Sequence, residues 1–182
     1  MARNSTSLLA LLALLAGLGA LPAPAATWQV AQDGSGDFVT IQEAIEAAAT
    51  GDVIELAAGA YSDPVTFESG GAEILCYALI EGKDLTIVGA GTDVTFIGPP
   101  TMSPPYQWEY GIFLRSGAGV ALRDLTIGNV SESPVYAFIP ATFFEATDCV
   151  FRDSHGSGIV GDFPDGLTVR SCLFTGLTEA GI

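Results

Sequence analysis

The side chains that could do chemistry in this sequence gather toward its end. Asp148, Asp153, Asp162 and Asp165, with the sole histidine, His155, form its densest group of ionisable residues outside the N-terminal half. Asp153 and Asp162 flank a Ser154-His155-Gly156-Ser157-Gly158 corner. Carboxylates on adjacent turns of chain could hold Ca²⁺ through oxygen ligands, or act as an acid/base pair on a sugar. His155 could serve as a general base, but no Ser or Cys nucleophile can be assigned to it. Asp, Ser, Gly and His are also ordinary corner residues, suited to turns and water contact. A second group is aromatic. Tyr106, Trp108 and Tyr110 alternate after Pro104-Pro105, so an extended segment would present all three rings on one side. There they would stack on the apolar faces of sugars or cover the flank of the first coils. Gly34-Ser35-Gly36 is a turn and not a phosphate loop, because Asp33 and Asp37 flank it and no Lys follows. Asn129-Val130-Ser131 matches a glycosylation acceptor.

These residues sit on a repeat that must position them. Gly111–Pro134, Val135–Ser157 and Gly158–Ala180, of 24, 23 and 23 residues, superimpose. Val120, Phe144 and Leu167 share one offset, and Leu122, Ala146 and Val169 stand two residues further on. Leu125, Cys149 and Cys172 share a later offset, followed two residues on by Ile127, Phe151 and Phe174. Paired apolar residues two apart point one side of a strand at a common interior. A unit this short cannot bury its inner face alone, so the repeats must stack as a solenoid, with regular coils over 111–182. Cys149 and Cys172 then stand about 4.8 Å apart in an inward ladder, where thiols stacked in register point in parallel rather than at each other. Upstream, Thr40 and Glu43 make a capping box, and Ile41, Ala44, Ile45 and Ala48 share a helical face. Residues 38–50 are expected to form an N-terminal capping helix over the open first coil. Asp84–Gly89 and Asp93–Gly98 predict two walls of one coil, Glu68–Glu81 a looser region, and Pro99–Tyr110 an excursion from the wall. Gly181-Ile182 restarts the coil pattern, so the chain is expected to be the front part of a longer solenoid, or to self-associate at that end.

Residues 1–25 carry the pattern of a secretory signal: Arg3, an uncharged Leu/Ala run over 8–21, and Ala23-Pro24-Ala25 offering small residues for cleavage. The remaining 26–182 would be one domain, secreted, periplasmic or on the cell surface. Losing Arg3 leaves five basic against 21 acidic residues, a balance of −16. Such a chain repels nucleic acid and anionic lipid, and would need a cation such as Ca²⁺, or a local basic strip, to hold an anionic polysaccharide.

The run Val30-Ala31-Gln32-Asp33-Gly34-Ser35-Gly36-Asp37-Phe38-Val39-Thr40-Ile41-Gln42-Glu43-Ala44-Ile45 resembles the opening of pectinesterases, in the pectin lyase-like superfamily. Gly51–Leu56, Gly59-Ala60-Tyr61 and Leu85–Gly91 continue the likeness. The resemblance implies an all-β solenoid, a right-handed parallel β-helix with an N-terminal capping α-helix. It also implies catalytic Gln, Gln-Asp and Asp residues, which would fall near Pro134-Val135-Tyr136, Ser154-His155-Gly156 and Glu179-Ala180-Gly181-Ile182. This chain carries none of them there, so neither nucleophile nor oxyanion donors are supplied. The expectation is a secreted or cell-surface binding or scaffold protein associated with polysaccharide. The alternative is the front of a polysaccharide-degrading lyase, esterase or hydrolase whose catalytic coils follow residue 182.

Overall fold

A computed structural model describes residues 24–182 except 106, 139 and 140. The expected leader, all but its last two residues, lies outside the described residues, as does Tyr106. In chain order the elements are β1 (Thr27–Val30), α1 (Ile41–Ala47), β2 (Val53–Leu56), β3 (Gly59–Tyr61), β4 (Val65–Ser69) and β5 (Ala72–Glu81). There follow β6 (Asp84–Val88), β7 (Thr95–Ile97), β8 (Glu109–Arg115), β9 (Gly119–Arg123), β10 (Thr126–Gly128) and β11 (Val135–Ala137). The last are β12 (Phe144–Thr147), β13 (Val150–Ser154), β14 (Ile159–Val160), β15 (Leu167–Arg170) and β16 (Leu173–Leu177).

Each coil spends its apolar pairs on successive walls, and three sheets result. The first runs β1-β2-β6-β9-β12-β15, the second β3-β7-β10-β13-β16, and the third β4-β5-β8-β11-β14. Every pairing between these strands is parallel except β4 with β5. The molecule is a parallel β-helix. Register stacks like on like: Val120, Phe144 and Leu167 form one column, and Tyr61, Ile97, Ile127, Phe151 and Phe174 another. Phe151 and Phe174 stack with centroids 5.0 Å apart. Phe144 and Phe151 are fully enclosed, and burying such a side chain contributes about 1.5–3 kcal/mol.

Thr40 caps α1 through the expected box, accepting from the Glu43 N–H while the Glu43 carboxylate accepts from the Thr40 N–H. The helix proper covers Ile41–Ala47, shorter than 38–50, because Ala48 is already extended. Its buried Ile41, Ala44 and Ile45 pack over the first coil against β1, β2 and β5.

Two local expectations need correction. Residues 68–81 are not loose. Gly70 and Gly71, both at positive φ, turn β4 back on β5 in an antiparallel hairpin, Val65 facing Cys76 and Ser69 facing Ala72. Tyr110 belongs to the wall and not to the excursion, since β8 begins at Glu109. Cys76, Cys149 and Cys172 are free thiols. The Cys149 and Cys172 thiols donate to the carbonyls of Thr147 and Arg170, two residues back on their own coils, and burial pushes the Cys149 thiol up to about 12.

Candidate functional site

The coil geometry separates the aspartates. Asp148 follows β12 at the corner between the first and second sheets, directly in line with Asp124 and Ser171 on the neighbouring coils. All three have left-handed backbone, with φ of 52°, 54° and 52°. Asp153 lies at the far end of the second sheet, in line with Asn129 and Gly176, and these too are left-handed, at 50°, 61° and 64°. Asp and Asn enter this region at lower cost than other side-chain-bearing residues. The two aspartates are thus explained by the corners they turn. Asp153 also pairs with Arg152 at 3.1 Å. Asp162 and Asp165 are exposed on the link from β14 to β15. Among the described residues no group of three or more His, Cys, Asp or Glu side chains could hold a metal ion.

Of the three aromatic residues, the two described, Trp108 and Tyr110, meet at one cleft but not on one side of an extended strand. Trp108 has φ of 49°, which breaks the extended alternation, so Trp108 is 55% exposed while Tyr110 is buried. Both line a cleft on the outer face of the third sheet. That face arises from register. Ile112, Leu114, Val135 and Ala137 point into the main core, so Phe113 and Tyr136, between them, point out. Leu79, Phe113, Tyr136 and Val160 stand in one column across four coils, about 4.8 Å per step.

Rings fill this outer surface. Tyr110 lies 4.7 Å from Tyr136 and 5.3 Å from Phe113, and Phe113 meets Phe67 of the hairpin edge-on at 5.0 Å. The Arg115 guanidinium covers Phe67 at 4.3 Å and pairs with Glu81, closing one flank. The first cleft, about 280 Å³, runs between the hairpin tip at Ser69-Gly70 and Trp108, over Tyr110 and Phe113. A second, about 400 Å³, continues over Ala137 and Val160 to Asp162. Tyr136 and Phe138 line both, so the two form one trough along the helix axis. Phe138 is 51% exposed on its rim. Phe113, Tyr136 and Phe138 were not singled out by sequence, although their places between inward residues mark the first two as outward.

A polar cleft of about 390 Å³ lies beside this face, with Glu132, His155 and Glu179 from three successive coils around it. Burial raises the Glu132 carboxyl above its ordinary value, Glu179 adds to the rise, and His155 opposes it. Burial likewise raises the Tyr110 phenol, with Glu132 and then Tyr136 adding to it. Beneath, the buried Glu109 carboxylate accepts from the Tyr77 hydroxyl at 2.7 Å and from the Ser131 N–H at 3.1 Å, tying β5, β8 and the next corner together. His155 thus shares this cleft with the Glu132 and Glu179 carboxyls and with Ser131 and Thr178.

No family model and no curated protein matches the chain. Among solved structures it is similar to a pectin methylesterase determined in complex with a hexasaccharide, at 17% identity and a TM-score of 0.46. The match covers 85% of this chain and 54% of that one, so this chain spans about half the length of that protein.

Proposed function

We propose that this protein is an exported β-helix that binds a polysaccharide in the trough on the outer face of its third sheet, as a binding or scaffold protein. The carrying observation is the outward column Leu79–Phe113–Tyr136–Val160, flanked by the exposed rings of Trp108 and Phe138. An outward wall face normally meets water with polar residues, and this one presents apolar rings in a groove open along the axis. Flat, rigid rings supply large contact area at small conformational cost and stack on sugar faces. The formal net charge of −15 argues for a neutral polymer, or for an anionic one bridged by a cation such as Ca²⁺. Affinity electrophoresis and calorimetry against neutral glucans, mannans and esterified or free polyuronides test the reading. Retardation by at least one polymer, abolished by Trp108→Ala with Phe138→Ala, is expected. Equal mobility in every gel would overturn it.

A second reading is favoured by Glu132 and Glu179. A carboxyl with a raised pKa beside a sugar groove is the usual setting of a general acid. Release of reducing ends or unsaturated uronide by the chain, lost in Glu132→Gln, would select this reading over simple binding.

A further inference from the structure

The N-terminal edge of the first sheet holds a second built feature, distant from the trough. Asp52, one residue before β2, is 6% exposed. One carboxylate oxygen accepts the Ala26 N–H at 2.8 Å; the other accepts the Ala49 N–H at 2.9 Å and the Trp28 indole N–H at 3.0 Å. The bond from Ala49 closes the turn after α1. The other two hold the entry of the chain. Ala26 is gripped from its other side as well, where its carbonyl accepts the Val53 N–H at 2.8 Å. The bonds from Ala49, Ala26 and Trp28, in that order, keep the Asp52 carboxyl below its ordinary range, with Lys83 assisting. Lys83 is itself fixed by the end of α1, donating to the carbonyls of Ile45 and Ala48.

The residue whose nitrogen Asp52 receives is the one that follows Ala23-Pro24-Ala25. Small residues one and three places before a bond are what a signal-removing endopeptidase accepts. Pro24 and Ala25 are exposed, whereas Ala26 is partly buried. The first strand, β1, opens at Thr27, one residue beyond Ala26. We propose that cleavage after Ala25 turns the Ala26 amide into an α-ammonium that Asp52 holds as an ion pair, so that removal of the leader completes the N-terminal end of the solenoid.

The step balances with water alone. The Ala25–Ala26 C–N bond breaks, the acyl carbon takes the hydroxyl and leaves as the Ala25 carboxylate, and the nitrogen is protonated on Ala26. An amide N–H offers one proton and no charge. The ammonium offers three protons and a full positive charge, and charge-assisted bonds of this kind are roughly twice as strong as neutral ones. The proposal rests on the export reading above, and polysaccharide binding plays no part in it.

The test starts from the full chain, leader included, expressed in a secreting host, with the exported product sequenced from its N-terminus. Ala26 is the expected first residue; retention of the leader would sink both the export reading and this proposal, and any other start would sink this one alone. On the exported protein, NMR titration of the α-amine should give a pKa above the ordinary value of about 7.7–8.0. The corresponding stability would be present below that value and lost as pH rises through the raised one. A chain retaining Ala25, with Asp52 intact, should melt about 2–6 °C lower at pH 7 and close the gap above the raised pKa. In Asp52→Asn the gap should vanish at all pH values. If Asp52→Asn does not fold, the titration and the Ala25-retaining chain still decide. An α-amine that titrates at its ordinary value would remove the ion pair while leaving export untouched.

Discussion

The corners and the third wall of this solenoid are built from the same coils, yet they carry opposite kinds of residue for different reasons. At the corners, Asp124, Asp148 and Ser171 stack at φ of 54°, 52° and 52°, and Asn129, Asp153 and Gly176 repeat the arrangement at 61°, 50° and 64°. On the wall, Phe113 and Tyr136 stack outward at 5.2 Å between inward neighbours, where strand geometry asks nothing of them. Short polar side chains at left-handed positions are dictated by backbone sterics. Aromatic residues on an outward face are not. The difference teaches that, in a repeat fold, residues the backbone dictates can be told apart from residues the coil does not need, and the second kind asks for another explanation.

The largest expected effect tests what wall and corner share, the inward column beneath both. Phe151→Ala removes a ring enclosed between Ile127 and Phe174 and should lower stability by about 3–5 kcal/mol, measured by urea unfolding. A loss below about 1 kcal/mol would mean that the column does not bear on the fold.

That column was legible in the sequence because inward positions repeat with period two inside a unit of 23–24 residues, so three copies reinforce one another. The hairpin was not, because Ile74–Ile80 is an unbroken apolar run in which Tyr77 and Ala78 both enter the main core, and no alternation survives to mark a strand. The trough was half legible. Trp108 and Tyr110 stood out by type, but Phe113 and Tyr136 look like core until register assigns their direction. Asp148 and Asp153 are ambiguous for the converse reason: a carboxylate chosen for its left-handed backbone is indistinguishable, as a letter, from one chosen for its charge. Asp52 showed no pattern at all, since its partners, Ala26, Trp28 and Ala49, are brought together only by the first coil.

Corner and charge can be separated directly. Asp148→Asn keeps a residue that tolerates the left-handed region, and should leave stability within about 0.5 kcal/mol. Asp148→Val places a β-branched residue there, and should cost about 1–2 kcal/mol. If Asn were as damaging as Val, the carboxylate itself would matter and the corner explanation would fail. Adding Ca²⁺ should then leave the melting temperature unchanged in wild type and Asp148→Asn alike; a calcium-dependent rise lost in Asp148→Asn would restore the cation reading.

On the wall, Trp108→Ala or Phe138→Ala should weaken polysaccharide binding about tenfold, near 1.4 kcal/mol, with little change in melting, because both rings are more than half exposed. A loss of stability without a loss of affinity would make these rings packing residues after all, and would erase the contrast with the corners.

The smallest effect concerns Glu132, which lies where corner meets wall. Burial and Glu179 favour its protonated form in the folded protein, with His155 opposing. A carboxyl with a raised folded pKa binds more protons folded than unfolded between its unfolded and folded values, so stability falls as pH climbs through that interval and stays lower above it. Glu132→Gln keeps the shape, removes the charge and should flatten that segment of the stability–pH curve. It should raise stability at pH 7 by a few tenths of a kcal/mol, a small gain because Glu132 remains partly solvated. Glu179→Gln should act in the same direction by relieving the like charge. A fall in stability in both variants at pH 7 would show that each carboxylate is held by a favourable partner, and that the cleft beside the trough is an ion-paired corner like that of Asp153 rather than a place prepared for a proton.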